Sequence, residues 1–232
     1  GGEQAGGIVI DSVGNVVVSG ATNSTNFPTS PGAFDSSFNG VADGFVTGLN
    51  AAGSQLAFST FYGGSGVDVC TGLARDSLGN LWACGWSQSV DLPLTSNAYD
   101  STAGGSQDAF VVSFNATTSS MGYATLLGGP DNDIFYGLSI DSNGAVTLVG
   151  LLTSFGLAPS GIGTDDGNSG LFVRLVRAAD TPALYVPSSG AWFPRFVNAS
   201  GPANLVFTYG AGGSGLVPLA GNWDGAAGDS PG

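Results

Sequence analysis

Short apolar clusters alternate with polar turn segments along the chain. Within residues 66–130 the clusters occupy 72–75, 81–86, 109–114 and 121–127. Apolar runs of this length, bounded by Gly, Ser, Asn and Asp, are typical of β-strands. Asp76-Ser-Leu-Gly79 predicts a hairpin turn between the first two clusters, because Asp bonds the backbone at the turn start and Gly takes the left-handed position. The pattern predicts a four-stranded antiparallel sheet.

The predicted sheet contains one long excursion between its second and third strands. The excursion carries Asn26-Phe-Pro28 in one part of the chain and Asp91-Leu-Pro93 in another. Because proline has no N–H to donate, it keeps this segment out of the strand ladder.

These signals recur every 65 residues. Asp11-Ser-Val-Gly-Asn15 returns as Asp76-Ser-Leu-Gly-Asn80 and as Asp141-Ser-Asn-Gly-Ala145, and Asp43-Gly-Phe-Val46 returns as Asp108-Ala-Phe-Val111. A fixed period indicates an array of equivalent units. One such sheet cannot bury both of its faces, so it must stack on its neighbours, and radial stacking produces a β-propeller. A β-solenoid is the alternative, but its coils are usually shorter and lack internal hairpins.

The predicted fold is therefore all-β: a partial β-propeller of about three four-stranded antiparallel blades, followed by a short C-terminal β segment. The predicted blades are 1–65, 66–130 and 131–186, and the C-terminal segment is 187–232. Residues 6–10, 72–75 and 137–140 are predicted to be the equivalent strands nearest the propeller axis. In the C-terminal segment, a hairpin is predicted around Ser188-Ser-Gly190 and a strand at 204–209.

The run of motifs through residues 1–186 resembles the bacterial β-propeller repeat family called SBBP. The matching motifs are Asp-Ser-x-Gly-Asn, Phe-Pro, Ala-Phe-Asp, Asp-Gly-Phe-Val and Phe-Ser-Thr-Phe-Tyr-Gly-Gly-Ser-Gly-x-Asp. The resemblance implies propeller blades in exported or cell-surface bacterial proteins, usually without assigned catalytic residues. The third copy departs from the pattern, since it loses three residues before Phe172 and lacks the Asp that starts the third strand.

The end of the chain, Pro218-Leu-Ala-Gly-Asn-Trp-Asp-Gly225, resembles the FG-GAP and VCBS-like repeats of bacterial surface proteins. In that family an Asp-rich loop binds calcium. Asn222, Asp224 and Asp229 fall on the ligand positions, but Ala226 replaces an expected Asp. Since Ca²⁺ takes six to eight oxygen ligands, a structural turn is the competing interpretation.

The amino-acid composition argues against several functional classes. The 232 residues carry a net charge of −13 from 17 acidic residues and four arginines, with no Lys and no His, so a phosphate backbone would be repelled. Without His there is no Ser-His triad or imidazole metal site, and without Lys there is no Schiff base or P-loop. No apolar run is long enough to span a membrane as a helix.

Most acidic residues follow the 65-residue period, which favours structural roles. Glu3, Asp68 and Asp133 are equivalent, and they are expected just before the innermost strands, at one mouth of the central channel. There they would either bind Ca²⁺ weakly or accept backbone N–H bonds within their own blades.

Two further acidic pairs are candidates for chemistry, Asp131 with Asp133 and Asp165 with Asp166. Either pair would bind a cation or act as the acid and base of a sugar-cleaving enzyme, with solvated turn carboxylates as the commoner explanation.

The two cysteines and four tryptophans are weaker signals. If the Asp76 turn closes a hairpin, Cys84 faces Gly72 or Leu73 rather than Cys70, which favours two buried free thiols over a disulfide. The tryptophans at 82, 86, 192 and 223 would stack on sugar rings if exposed, but core packing is expected for Trp82 or Trp86.

Taken together, these features predict a non-catalytic, extracytoplasmic interaction or scaffold module that is secreted, periplasmic or on the cell surface, with no required cofactor. The alternatives are an accessory subunit of a larger membrane or filament assembly, and a carbohydrate-active enzyme that uses Asp residues at the propeller centre. The expected partners are proteins or further repeats of the same polypeptide, with carbohydrate left open. Three blades have two open faces, so we expect those faces to be covered by further repeats or by neighbouring subunits.

Overall fold

The computed structural model describes residues 1–153 apart from 12, 118 and 143, together with the strand residues 171–178, 181–185, 204–205 and 221–222. The regular elements of these residues are β-strands. In chain order they are β1 (Glu3–Ile10), β2 (Val16–Thr22), β3 (Asp43–Leu49), β4 (Leu56–Tyr62), β5 (Asp68–Arg75), β6 (Leu81–Ser87), β7 (Asp108–Phe114), β8 (Met121–Leu127), β9 (Asp133–Ile140), β10 (Val146–Leu152), β11 (Leu171–Ala178), β12 (Thr181–Tyr185), β13 (Asn204–Leu205) and β14 (Gly221–Asn222).

The strands form three four-stranded antiparallel sheets, each a simple meander in chain order. We call β1–β4 blade 1, β5–β8 blade 2 and β9–β12 blade 3. The first strands of successive blades pack on one another, β1 on β5 and β5 on β9, as expected for the strands nearest a propeller axis. The predicted fold class, an all-β partial propeller, is confirmed.

The hairpin turn has the predicted chemistry. In blade 2, Asp76 Oδ1 accepts the N–H groups of Leu78 and Asn80 at 3.0 and 2.8 Å, and Asp76 Oδ2 accepts Asn80 Nδ2 at 2.8 Å. The turn glycine has a positive φ in all three copies, at 86° for Gly14, 90° for Gly79 and 81° for Gly144. The Asp and the Gly that determine the turn therefore recur in all three copies.

The innermost strands are longer than predicted. In blade 2 the first strand begins at Asp68 rather than at residue 72, because pairing continues past a bulge at Thr71, from Gly72 opposite Cys84 to Cys70 opposite Gly85. A Cβ on Gly85 would lie 1.8 Å from the Val69 carbonyl oxygen, so this bulge requires glycine at position 85. Gly20 and Gly150 occupy the equivalent sites, where an added Cβ would lie 2.0 and 2.1 Å from the carbonyl oxygens of Gln4 and Ile134.

Two apolar clusters lie between the sheets. We call the sheet face that packs on the preceding blade the leading face, and the opposite one the trailing face. The trailing face of blade 1 and the leading face of blade 2 share the first cluster, which includes Val17, Val46, Phe58, Tyr62, Leu73, Leu81, Ala83, Phe110, Val112 and Phe114. The trailing face of blade 2 and the leading face of blade 3 share the second, which includes Trp82, Cys84, Val111, Tyr123, Leu127, Phe135, Val146 and Leu148.

Blade 3 and the C-terminal segment depart from strict repetition. Gly150 lies opposite Leu171, whereas its equivalents Gly20 and Gly85 lie opposite Phe45 and Phe110. The pairing of β10 with β11 is thus one residue out of step, after the loss of three residues in this copy. In the C-terminal segment, β13 coincides with the start of the strand predicted at 204–209, and the hairpin predicted around residues 188–190 lies outside the described residues.

Candidate functional site: blade junctions and open faces

The predicted rim acids are the first residues of the innermost strands, and two of the three are buried. Asp68 begins β5 and Asp133 begins β9, and neither has exposed surface. Asp68 accepts hydrogen bonds from the Gly64 N–H and the Ser87 and Ser89 hydroxyls. Burial raises the pKa of the Asp68 carboxyl, although these three donors partly offset the effect.

Each of these two acids lies beside a second buried acid from the preceding blade. A Cβ built on Gly63 would lie 2.8 Å from Asp68 Oδ2 and 2.9 Å from Asp43 Oδ1, so the two carboxylates flank a glycine that leaves them room. Asp43 begins β3, is fully buried and accepts the N–H groups of Asn39 and Gly40. Burial raises the pKa of Asp43, and the neighbouring Asp68 charge raises it further.

The same arrangement recurs one period later. Gly128 lies between Asp108 and Asp133, with its Cβ position 2.5 and 2.9 Å from their oxygens. Asp108 accepts the N–H groups of Gly104 and Gly105, while Asp133 accepts those of Gly129 and Thr153. We call each pair a junction acid pair. Because both blade junctions carry one, these acids belong to the repeated architecture.

Glu3, the third predicted rim acid, has a different environment. Its side chain is exposed and accepts hydrogen bonds from the Ser24 and Thr22 hydroxyls. The Ser24 hydrogen bond holds the pKa of Glu3 below its ordinary value. Within the described residues, no three Asp, Glu or Cys side chains are placed to hold one metal ion. The calcium site at Glu3, Asp68 and Asp133 stays a prediction.

The C-terminal calcium loop is only partly described. Asn222 ends β14 and lies opposite Asn204, which places its backbone in the two-stranded sheet. Asp224 and Asp229 lie outside the described residues, as do Asp165 and Asp166. The predicted ligand set therefore stays untested.

Asp91 and Asp131 are described acids that do not follow the 65-residue period. Asp91 accepts both the N–H and the hydroxyl of Ser65 at 2.8 and 2.9 Å, and the backbone hydrogen bond is the main reason that its pKa is lowered. It ties the excursion of blade 2 to the connection that leaves blade 1. Asp131 is exposed on the connection between β8 and β9.

The cysteines are buried and free, as predicted. Cys84 lies opposite Gly72, and Cys70 lies opposite Gly85. Cys70 belongs to the cluster between blades 1 and 2, and Cys84 to the cluster between blades 2 and 3, so the sheet separates them. Burial raises the pKa of both thiols, that of Cys84 to about 12.

Of the four tryptophans, Trp82 is buried and Trp86 is half-buried. Trp82 packs on the Tyr123 ring with centroids 6.4 Å apart and donates its Nε1–H to Asp76 Oδ2 at 3.1 Å. The prediction of core packing for Trp82 is confirmed. The tryptophans at 192 and 223 lie outside the described residues.

Sequence reasoning did not identify which residues form the open leading face of blade 1. It carries Ile8 and Ile10 on β1, which are 65% and 69% exposed, and Leu49 at the end of β3, which is 39% exposed. Another part of β3 and β4 is covered by the excursion that follows β2, because the Phe27 ring lies 4.5 Å from the Phe45 ring and 5.8 Å from the Phe61 ring. The 65-residue period could have identified them, since the equivalents of Ile8 and Leu49 in blade 2, Leu73 and Phe114, are buried.

A comparison of the chain with protein-family models finds no match, and a comparison with curated proteins finds none either. Within the described ranges, no helix is both long and apolar enough to cross a bilayer.

Proposed function

We propose that this chain is a non-catalytic interaction module, part of a β-propeller in a secreted, periplasmic or cell-surface bacterial protein, and that its blade faces bind protein partners. The observation that carries the proposal is that acidic side chains are buried while apolar side chains are exposed. The acids that recur at the blade junctions are turned inward, whereas Ile8 and Ile10 of blade 1 are turned outward.

The junction acids are poorly placed for catalysis. A general acid or base must reach the proton that it transfers, directly or through one water. Asp43 and Asp68 have no exposed surface, and each accepts at least two hydrogen bonds from the surrounding chain. These contacts support a structural role in joining one blade to the next.

The exposed apolar face is the stronger functional feature. Soluble proteins seldom expose contiguous apolar patches without a use for them, and such patches mark interaction surfaces. Ile8 and Ile10 lie on β1 beside the half-buried Val16 and Val18 of β2, which they face across the pairing of these two strands. Location outside the cytoplasm rests on the resemblance to SBBP repeats.

An assay for sugar cleavage tests the proposal against the enzyme alternative. The purified chain would be incubated with a panel of bacterial and plant polysaccharides, and new reducing ends would be measured with and without Ca²⁺. We expect none. Release of reducing ends that is lost in Asp131→Asn or Asp91→Asn would contradict the proposal.

A dye-binding experiment tests the surface itself. We expect an environment-sensitive apolar dye to bind the chain, and Ile10→Lys to reduce that binding. Leu78→Lys is the matched control, because Leu78 is 80% exposed but lies in the β5–β6 turn. Equal loss of fluorescence in both variants would show that the leading face of blade 1 is not the dominant apolar surface.

A further inference from the structure

We propose that the excursions of blades 1 and 2 are edge guards: each one seals the outermost strand of its sheet and prevents that strand from pairing with the same strand in a second copy of this chain. The proposal goes beyond the proposed function, since it concerns the edges of the sheets and not the blade faces. It is carried by hydrogen bonds that recur in the two blades. We call residues 28–35 and 93–100 the straps of blades 1 and 2.

The outermost strands of these blades have one free edge each. β4 pairs with β3 and β8 pairs with β7, so alternate residues of β4 and β8 direct their N–H and C=O groups away from the sheet. An exposed row of such groups is a template for pairing with another chain. The residues that point outward are Ser59 and Phe61 in blade 1, and Ala124 and Leu126 in blade 2.

All four outward groups of Ser59 and Phe61 have partners. The Ser59 N–H donates to the Ser30 hydroxyl, and the Ser59 carbonyl oxygen accepts the Ser30 N–H, both at 3.0 Å. The Phe61 N–H donates to the Asp35 carbonyl oxygen at 3.0 Å. The Phe61 carbonyl oxygen lies 2.9 Å from the Thr60 hydroxyl, which also accepts the Asp35 N–H at 2.9 Å. The Thr60 hydroxyl therefore ties the strap to the edge of the sheet.

Blade 2 repeats this arrangement one period later. The Thr95 hydroxyl accepts the Ala124 N–H, and the Thr95 N–H donates to the Ala124 carbonyl oxygen, both at 3.2 Å. The Leu126 N–H donates to the Asp100 carbonyl oxygen at 3.0 Å, and the Thr125 hydroxyl accepts the Asp100 N–H at 2.9 Å. Each strap is thus held by two hydroxyl clamps, one on the strap and one on the strand.

An aromatic ring anchors each strap at a blade junction. The Phe34 ring lies 5.7 Å from the Phe114 ring and 6.5 Å from the Tyr62 ring, beside the cluster shared by blades 1 and 2. Tyr99, which is 65 residues further on, packs against the cluster shared by blades 2 and 3. Because these anchors do not involve the clamps, loss of a clamp hydroxyl should open the edge without separating the blades.

The strand that the guard excludes is the same strand of a second copy. In blade 1 the strap offers a side-chain hydroxyl, and not a backbone carbonyl, to the Ser59 N–H, so a regular β-strand would make the better ladder. The sequences of β4 and β8, Leu-Ala-Phe-Ser-Thr-Phe-Tyr and Met-Gly-Tyr-Ala-Thr-Leu-Leu, contain no charged residue and no proline. Identical uncharged segments of this kind pair with one another between molecules when they are exposed.

Removal of the two strand clamps tests the proposal. The double variant Thr60→Val with Thr125→Val keeps the shape of both side chains but loses both hydroxyls. In dilute solution, we expect the amides of Phe61 and Leu126 to exchange at least about tenfold faster than in the wild type. At higher concentration, we expect assemblies that bind thioflavin T and protect these amides again. The matched control, Thr60→Ser with Thr125→Ser, keeps the hydroxyls and should behave like the wild type.

A second control separates edge opening from a general loss of stability. Thr71→Val removes a hydroxyl from the inner strand β5, where it donates to the Phe135 carbonyl oxygen, and should not cause assembly. Far-UV circular dichroism checks folding, and Ser30→Ala with Thr95→Ala removes the strap clamps at half-buried positions if the strand variant does not fold.

Four results would overturn the proposal. They are unchanged exchange at both edges, faster exchange with the association state of the wild type at every concentration, assemblies in which the edge amides stay unprotected, and equal assembly by Thr71→Val.

Discussion

The leading faces of blades 1 and 2 are built from equivalent positions but meet different surroundings. Phe114 of blade 2 is fully buried against blade 1, whereas its equivalent Leu49 is 39% exposed; Leu73 is 8% exposed and its equivalent Ile8 is 65% exposed. All four of these side chains are apolar. What differs is the presence of a preceding sheet. A blade's burial is therefore set by its neighbour, as in any array whose units stabilise each other through shared interfaces.

Alanine substitutions at the equivalent residues Phe114 and Leu49 should give the largest difference in stability between the two faces. We expect Phe114→Ala to lower the free energy of unfolding by about 3–5 kcal/mol, since it removes a fully buried ring and leaves a cavity. Leu49→Ala should cost about 1 kcal/mol or less. Urea unfolding followed by tryptophan fluorescence measures both. Similar losses would mean that the leading face of blade 1 is buried in solution.

The glycines of the inner strands offer a second matched pair. Gly72→Ala should cost about 1–3 kcal/mol, because the added methyl group meets the backbone of Gly137 and Cys84 Sγ at 2.9 Å. Gly137→Ala should be nearly neutral, because among the described residues its Cβ would make only an ordinary contact with Val149 Cγ1, at 3.7 Å. The midpoints of thermal unfolding compare the two. A larger loss for Gly137→Ala would contradict the close approach of β5 and β9.

The junction acids and the turn acids should respond to pH in opposite directions. Burial raises the pKa of Asp68, so its contribution to stability is present below the unfolded pKa and is lost as the pH rises through the folded pKa. Burial also opposes ionisation of Asp76, but hydrogen bonds from Asn80 and Trp82 outweigh it and lower the pKa. The contribution of Asp76 is therefore lost as the pH falls through that lowered value.

Unfolding titrations of Asp68→Asn and Asp76→Asn at several pH values test this contrast. The stability of the wild type relative to Asp68→Asn should increase as the pH falls from 7 towards about 4. Relative to Asp76→Asn it should decrease below about pH 4. Parallel curves for the two variants would show that the burial of Asp68 does not govern its titration.

The cysteines give the smallest expected effect. Because Cys70 and Cys84 are free and lie in different clusters, a reductant should leave the melting temperature unchanged. A thiol reagent should label them slowly in the folded protein, since burial raises both pKa values and thiolate is the reactive form. Both thiols should react fast in urea. Failure of either to react there without reductant would indicate a disulfide.

The turns were predictable from sequence because two residues determine them. Asp76 and Gly79 sit where the turn needs a side-chain acceptor and a positive φ, and both recur with the period. The start of β5 was missed, because the bulge at Thr71 interrupts the alternation of polar and apolar residues that marks a strand.

The candidate site was less accessible to sequence reasoning. The period identified Asp43 and Asp68 as structural acids, but their meeting around Gly63 depends on how one blade packs on the next. Ile8 is exposed because no described sheet packs on it, although its side chain is as apolar as that of its equivalent Leu73. Local patterns define each blade, while contacts between blades define the junctions and the open face.

Amide hydrogen exchange of the first strands tests most directly the claim that burial is set by the neighbouring blade. β1 and β5 are equivalent in the repeat, but among the described strands only β5 belongs to a sheet with a preceding blade packed on it. In dilute protein, we expect the amides of β1 to exchange at least about a hundredfold faster than those of β5. Equal protection of β1 and β5 at the lowest concentration would contradict the claim.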